Sequence, residues 1–186
     1  MTGLVAPMTG DAVRGEPLAE GHRAALNGAC AQDPDIWAIY ATNFGPDGFD
    51  AGFDKIMALP WARFALLEGD TLVGMSCFLG IDEERGLLEI GNTYYRPAWR
   101  GTGFNRRAKD MMLRRAFDAG YRRVEFRVDA RNARSQAAMT KLGAIREGVM
   151  RADRITWNGH VRDTVLFSIL KEEWQPAGGS ASLAAS

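Results

Sequence analysis

Apolar positions along this chain follow two rhythms, one helical and one alternating, and the switches between them outline the fold. Ala24, Ala25, Leu26 and Ala29, with polar Glu20 and His22 ahead of them, suit a first helix over 20–29. Phe53, Ile56 and Met57 recur at helical spacing over 50–59, where Pro60 ends the pattern. The runs 63–67, 72–79 and Leu87–Tyr95 read as strands, with Glu68-Gly69-Asp70 as the first turn and the polar loop 82–86 as the second connection. Ala108, Met111, Met112, Ala116 and Ala119 then stripe a long helix over 105–119, closed by Gly120. A strand over 123–128 follows, then a helix over 132–142 capped by Gly143. Two last strands, 147–157 and Val161–Leu170, meet at Asn158-Gly159, a strong hairpin signal. Helices, an antiparallel run, a strand–helix–strand crossover and a hairpin together predict an α+β domain with one mixed sheet.

The ends differ from this. Residues 1–10 and 175–186 show no committed pattern, so the expectation is a single domain over 11–174 between two flexible termini. A chain of 186 residues, 46% hydrophobic and 25% charged, fits one soluble domain with its own core. It contains no apolar run of the roughly 20 residues that a membrane-spanning helix needs, and Met1 to Gly10 lacks a secretory pattern. The expected location is therefore cytoplasmic, with Cys30 and Cys77 as free buried thiols, although a disulfide between them stays open.

Net charge is zero, but it is unevenly spread. Residues 1–98 hold 14 acidic and 6 basic side chains, and the rest of the chain holds 9 and 17. A basic C-terminal half suits a polyanionic ligand and an acidic N-terminal half a cationic one; sorted surface charge with no ligand is the alternative.

Candidate chemistry concentrates where the strand Leu87–Tyr95 runs through Arg96-Pro97-Ala98-Trp99-Arg100-Gly101-Thr102-Gly103-Phe104-Asn105 into the long helix. Glycines let backbone amides approach a phosphate, and the helix N-terminus adds partial positive charge. The loop is neither a Walker loop nor Gly-x-Gly-x-x-Gly, because Arg106 stands where the third glycine would be. By itself it also reads as a plain connection. A second stretch, Asp129-Ala130-Arg131-Asn132-Ala133-Arg134-Ser135, puts Asn132 and Ser135 on one side of a first helical turn. There, Asn132 also reads simply as an N-cap.

Taken in order, these stretches resemble the GNAT superfamily of N-acetyltransferases, specifically its RimJ/RimL-type branch, over about residues 10–174. The superfamily's phosphate loop, Arg/Gln-x-x-Gly-x-Gly/Ala, falls on Ala98-Trp99-Arg100-Gly101-Thr102-Gly103, with Ala98 departing from the pattern. Asn132-x-x-Ser135, followed by Lys141-Leu142-Gly143, looks like the branch's later motif, and Arg162-Asp163-Thr164 like its C-terminal signature. The resemblance implies a mixed, mostly antiparallel sheet of about seven strands flanked by helices and splayed at an acyl-CoA site. It also implies acetyl-CoA as co-substrate, no metal, and a primary amine acceptor, either a protein N-terminus or a small molecule. Transfer would go by direct attack through a tetrahedral intermediate. Amides from Arg100 to Asn105 (Arg100, Gly101, Thr102, Gly103, Phe104, Asn105) would hold the pyrophosphate. A backbone N–H among Asn92, Thr93 and Tyr94 would polarise the thioester carbonyl. Asn132 and Ser135 complete the cofactor-binding set. Many superfamily members place a tyrosine one turn beyond Ser135 as the acid for the leaving thiolate; Met139 stands there, so Ser135 inherits the task.

The base is less constrained. Glu89 shares strand parity with Gly91 and Thr93 and would face the reaction centre if the strand stays regular; otherwise it is a surface carboxylate. A carboxylate that some branch relatives use falls on Arg154, leaving Asp153 and His160 as lesser candidates. Trp37, Tyr40, Phe44, Phe49 and Trp61 would line an acceptor pocket or pack the core. The acidic N-terminal half favours a cationic acceptor. A non-catalytic acyl-CoA-binding module is the alternative function. Nucleic-acid binding is disfavoured, because the arginines of 106–134 are scattered through amphipathic elements without stacking aromatics. Nothing in the chain specifies a membrane partner, and monomer and homodimer are both open.

Overall fold

The computed structural model describes residues 3–175. Eight strands form one sheet in the order β1-β2-β3-β4-β5-β6-β8-β7. They are β1 (Met8–Thr9), β2 (Arg14–Pro17), β3 (Ala62–Glu68), β4 (Thr71–Asp82), β5 (Leu87–Tyr95), β6 (Arg123–Asp129), β7 (Ile145–Ile155) and β8 (Val161–Leu170). Only β5 and β6 run parallel, joined by the crossover helix α3 (Phe104–Asp118). The other helices are α1 (Arg23–Cys30), α2 (Phe49–Ala58) and α4 (Ala133–Leu142).

The two sheet faces carry two cores. On one, α3 buries Phe104, Ala108, Met112 and Leu113 against Ile90, Val124 and Phe126, with Met139 and Leu142 of α4 beside them. On the other, α1 and α2 bury Leu26, Phe53 and Ile56 against Met75, Tyr94 and Trp37. Leucine, phenylalanine and isoleucine side chains buried at this level each contribute about 1.5–3 kcal/mol. Beyond the reach of α1 and α2, the second face is polar, with Glu125, Arg162, Thr164 and Ser168 buried on it.

Two expectations change. The sheet has eight strands because Met8–Thr9 and Arg14–Pro17 extend it, pairing Met8 with Gly15 and Glu16 with Ala65. Residues 3–10 are correspondingly anchored: Leu4 and Met8 are buried, and the Arg115 guanidinium donates to the carbonyls of Gly3, Ala6 and Pro7. Such short strands carry too few residues for a period to show in sequence. The tail predicted over 175–186 lies outside the described residues except for Gln175. Cys30 and Cys77 are free and buried, and burial raises both thiols to about 12, which leaves them inert.

Candidate active site

The parallel pairing of β5 and β6 covers only Leu87↔Arg123, Leu88↔Val124 and Glu89↔Glu125. Both strands continue past this point, β5 to Tyr95 and β6 to Asp129, so they part and leave backbone groups facing each other without a ladder. The opening belongs to a cleft of about 720 Å³ that reaches the N-terminus of α3 and the first turn of α4. The parting begins beside a bulge. Cys77 pairs with Gly91 and Met75 with Tyr94, so Asn92 and Thr93 together face Ser76. Asn92 takes the left-handed conformation at φ 48, which asparagine tolerates better than most residues. The Tyr40 hydroxyl donates to the Thr93 carbonyl at 2.7 Å and fixes the bulge from the opposite wall.

At the mouth of α3, Gly101 and Gly103 have φ 81 and 85. A Cβ on Gly101 would meet nothing within 4 Å, so open space lies over the loop. Thr102 closes the turn by donating to the Trp99 carbonyl at 2.8 Å. The amides of Asn105 and Arg106 find no acceptor within the described residues, as expected for a first helical turn awaiting an anion. Arg100 braces the loop: it donates to the Tyr95 carbonyl at 3.1 Å, pairs with Asp33 and lies over the Tyr94 ring, while its buried Nη2 has no partner. An amide cradle, an orphaned guanidinium nitrogen and an open groove fit the pyrophosphate and pantetheine of acetyl-CoA.

Glu89 lines the same cleft from β5. Its side chain turns away from α3 toward Arg127, whose Nε lies 3.5 Å from Oε2. Burial raises the Glu89 carboxyl to about 7 against the opposing pull of Arg127, Arg154 and Arg162. The bulge breaks the parity expected between Glu89 and Thr93: Thr93 faces α3, where Lys109 Nζ reaches its Oγ1 at 2.7 Å. Glu89 nevertheless borders the opening, on the face away from α3 rather than on the face of Thr93.

Three arginines crowd that face. Arg154 of β7 stands directly opposite Arg162 of β8, and both line the cleft with Arg127. Arg162 is buried and bonds Thr164 Oγ1 at 2.9 Å and the Arg127 carbonyl at 3.0 Å; burial and the Arg154 charge both lower its affinity for its proton. Asp153 is a poor base. Burial pushes it up, but hydrogen bonds from Arg154 at 2.8 Å and Thr164 at 2.9 Å outweigh that and hold it below the usual carboxylate range. His160 sits at the hairpin turn, with its carbonyl accepting from Thr156, outside the cleft lining.

The remaining predicted residues divide cleanly. Asn92, Thr93, Arg100, Gly101, Gly103, Asn105, Asn132 and Ser135 border the cleft together. Asn132 caps α4 by accepting from the Ser135 amide at 2.9 Å, while the Ser135 hydroxyl has no partner among the described residues. Tyr94 and Phe104 send their rings into the two cores, the Tyr94 hydroxyl donating to the Ala29 carbonyl, so only their backbone can serve the site. Among the aromatic residues, Tyr40 and Trp61 line the cleft, whereas Trp37, Phe44 and Phe49 are core. The acidic N-terminal half supplies only Glu89 to the lining, so the charge asymmetry gives the cleft no cationic-acceptor character.

Sequence reasoning missed Lys109. It lines the cleft from α3, is 2% exposed, and donates to Thr93 Oγ1 at 2.7 Å and Ser76 Oγ at 3.3 Å. Burial lowers its ammonium to about 7, with Cys77 and Glu89 opposing. The signal was present: Lys109 interrupts the apolar stripe that Met112, Leu113 and Ala116 continue.

A family model described as Acetyltransferase (GNAT) domain matches residues 16–145. Among solved structures, a candidate acetyltransferase from T. thermophilus is 35% identical, covering 90% of each chain with a TM-score of 0.82. A probable GNAT-family acetyltransferase from Chromobacterium violaceum is 32% identical, covering 91% of this chain and 88% of its own, with a TM-score of 0.83. Mycobacterium smegmatis RimJ, solved in complex with CoA-disulfide, shares the fold at 21% identity and a TM-score of 0.76, covering 93% of this chain and 90% of its own. Compared by sequence with curated proteins, the chain matches none.

Proposed function

This chain belongs to the GNAT family and is an acyl-CoA-dependent acetyltransferase with RimJ-like relatives, and from that premise we propose that it acetylates the primary amine of a small acceptor that also carries an anionic group. The observation behind the acceptor class is the Arg154–Arg162 cross-strand pair beside Glu89. Like charges directly opposite each other destabilise a sheet, and an anion between them removes the penalty. Apart from Glu89, the cleft's only carboxylate among the described residues is Asp129, which is engaged by Arg131 at 2.8 Å and lies 3.9 Å from Arg162 Nε, too far for a hydrogen bond to it.

In this reading the amides at the start of α3, with Arg100, hold the pyrophosphate, and the groove between β5 and β6 takes the pantetheine. Acetyl-CoA, when bound, supplies the activated acyl group. An amide of the Asn92–Thr93 bulge stabilises the negative charge that develops on the thioester oxygen, a contribution of about 3 kcal/mol per donor. Glu89, half ionised near neutrality, takes a proton from the attacking nitrogen. The Ser135 hydroxyl, unpartnered at the cleft, is free to donate a hydrogen bond to sulfur. A module that only binds acyl-CoA has no need of a buried carboxylate titrating near pH 7 at the opening.

An acetylation screen with acetyl-CoA against neutral, cationic and anionic amines tests this function. Amines bearing a carboxylate should lead; thiol release with cationic polyamines alone would reject the acceptor class, and no release with any amine would reject catalysis.

A further inference from the structure

Lys109 is a buried cation with no carboxylate in contact, because its Nζ is held only by the hydroxyls of Thr93 and Ser76. Those hydroxyls lie 2.7 Å apart and bond each other, so neither needs the lysine for its own satisfaction. Burying an ammonium without a counter-charge is costly, so its place in the cleft calls for an anion that forms there. The position is specific. Thr93 belongs to β5, and the Phe126 ring of β6 lies 5.9 Å from Nζ. These are the two strands that part beyond Glu89 and Glu125, so the ammonium lies beneath the opening. Glu89 borders that opening on the opposite face of the sheet.

We propose that Lys109 is the proton donor to the departing CoA thiolate, acting across the sheet from Glu89; this rests on the acetyl-transfer reading above. The lone pair of the acceptor nitrogen forms the new C–N bond, and Glu89 accepts the N–H proton. The C–S bond breaks with its electron pair on sulfur, and Lys109 passes one proton to that sulfur. The products are an amide and a thiol. Glu89 is left protonated and Lys109 neutral, and exchange with solvent resets both with no net proton consumed.

The chemistry of the neighbours supports this assignment. Met139, one turn beyond Ser135, has no proton to give, and a serine hydroxyl donates a hydrogen bond without surrendering its proton near neutrality. Burial makes the Lys109 ammonium a stronger acid than a thiol of pKa about 8.5, so transfer to sulfur runs downhill. From the packed elements, Glu89 of β5 favours its charge, while Cys77 of β4 would do so only as a thiolate, the form that burial disfavours. Phe126 of β6 is uncharged, Arg106 and Asp110 on α3 pair with each other, and Arg134 and Lys141 of α4 line the same cleft as cations.

The test compares Lys109→Met with Lys109→Gln, which keeps N–H donors for Thr93 and Ser76 but has no proton to give. Both should retain the CoA-induced thermal shift, lose about 100-fold in single-turnover transfer, and lose the alkaline limb of the rate profile while keeping the acidic one. A wild type that turns over while either variant keeps its rate and alkaline limb overturns the role of Lys109. A wild type that binds CoA but acetylates nothing instead rejects the acetyl-transfer reading itself. Should both variants fail to fold, NMR titration of the wild-type lysine Cε signals decides, since the chain has only four lysines. One should titrate near neutrality, and four titrating at ordinary lysine values would overturn the proposal.

Discussion

The Trp157 indole Nε1 donates to the Trp37 carbonyl at 2.8 Å, so the tip of the last hairpin holds the Pro34–Ile39 turn that walls the cleft. Asn158 adds a bond to the Ala38 carbonyl at 3.2 Å. From that wall, Tyr40 reaches the bulge of β5 through the Thr93 carbonyl. Trp157 itself is 48% exposed, so its tie carries more than its packing. Trp157→Phe should cost about 1 kcal/mol of stability and raise the acceptor KM several-fold while leaving the acetyl-CoA KM unchanged. Steady-state kinetics with each substrate varied in turn checks this; a change confined to acetyl-CoA would place the hairpin on the wrong side of the reaction.

The loop glycines offer a cleaner separation of folding from binding. Gly101 and Gly103 both have positive φ, and an added Cβ meets no closer neighbour than the flexible end of Arg107 at 3.4 Å. Alanine at either position should therefore cost only the conformational term, about 1–2 kcal/mol. Valine at Gly101 should additionally occupy the space over the amides and abolish most of the CoA-induced rise in Tm. Differential scanning fluorimetry with and without CoA reads both effects. An undiminished shift in Gly101→Val would move the phosphates elsewhere.

Much of this site was legible because its parts are local. Gly101-Thr102-Gly103 opening an amphipathic helix, and Asn132 three residues before Ser135, announce themselves in consecutive residues. The face of a strand residue is not local once a bulge intervenes. Glu89 and Thr93 are separated by an even number of positions, yet the extra residue opposite Ser76 puts them on opposite faces. Cleft charge is not local either. The carboxylates of α2, Asp50 and Asp54, sit on the outer surface paired with Arg23 of α1. The three arginines beside Glu89, Arg127, Arg154 and Arg162, come from strands that only the sheet order brings together.

Those arginines lead to an acceptor-side prediction. Arg154 is tied to Asp153 through Nε alone, which leaves its two terminal nitrogens without a partner among the described residues. Arg154→Ala should raise the KM for carboxylate-bearing amines about tenfold and hardly affect a neutral amine of the same size. Arg162→Ala should weaken both folding and binding, because it also removes bonds to Thr164 and to the Arg127 carbonyl. Equal KM changes for charged and neutral amines in Arg154→Ala would count against an anionic acceptor.

Glu89 connects the rate profile to stability. Its carboxyl is raised to about 7, so between the ordinary carboxylate range and neutrality the native chain binds a proton that the unfolded chain has lost. Its contribution to stability therefore falls as pH rises through that window. Glu89→Gln should flatten the decline, erase the acidic limb of the rate profile and leave CoA affinity unchanged. Urea unfolding from pH 4 to 8 alongside kcat/KM decides it. An intact acidic limb in the variant would transfer the base to water or to another group.

Lys109 should behave in the opposite sense, and its stability is informative apart from any activity. An unfolded lysine titrates near 10.4, whereas burial lowers Lys109 to about 7 in the fold. Between these values the native state binds fewer protons than the unfolded state, so stability rises with pH across the window. Below about 7 the ammonium is buried charged, and the whole penalty applies. Lys109→Met removes that charge at similar volume, while Ser76 and Thr93 keep their mutual bond. The variant without ligand should therefore be more stable than the wild type at pH 6, by up to roughly 3 kcal/mol, and the difference should shrink toward pH 9. Thermal and urea unfolding at the two pH values measure it. A residue whose removal strengthens the fold and abolishes proton delivery is held for chemistry; a variant weaker by the same amount at both pH values would make Lys109 a strut between α3 and the sheet.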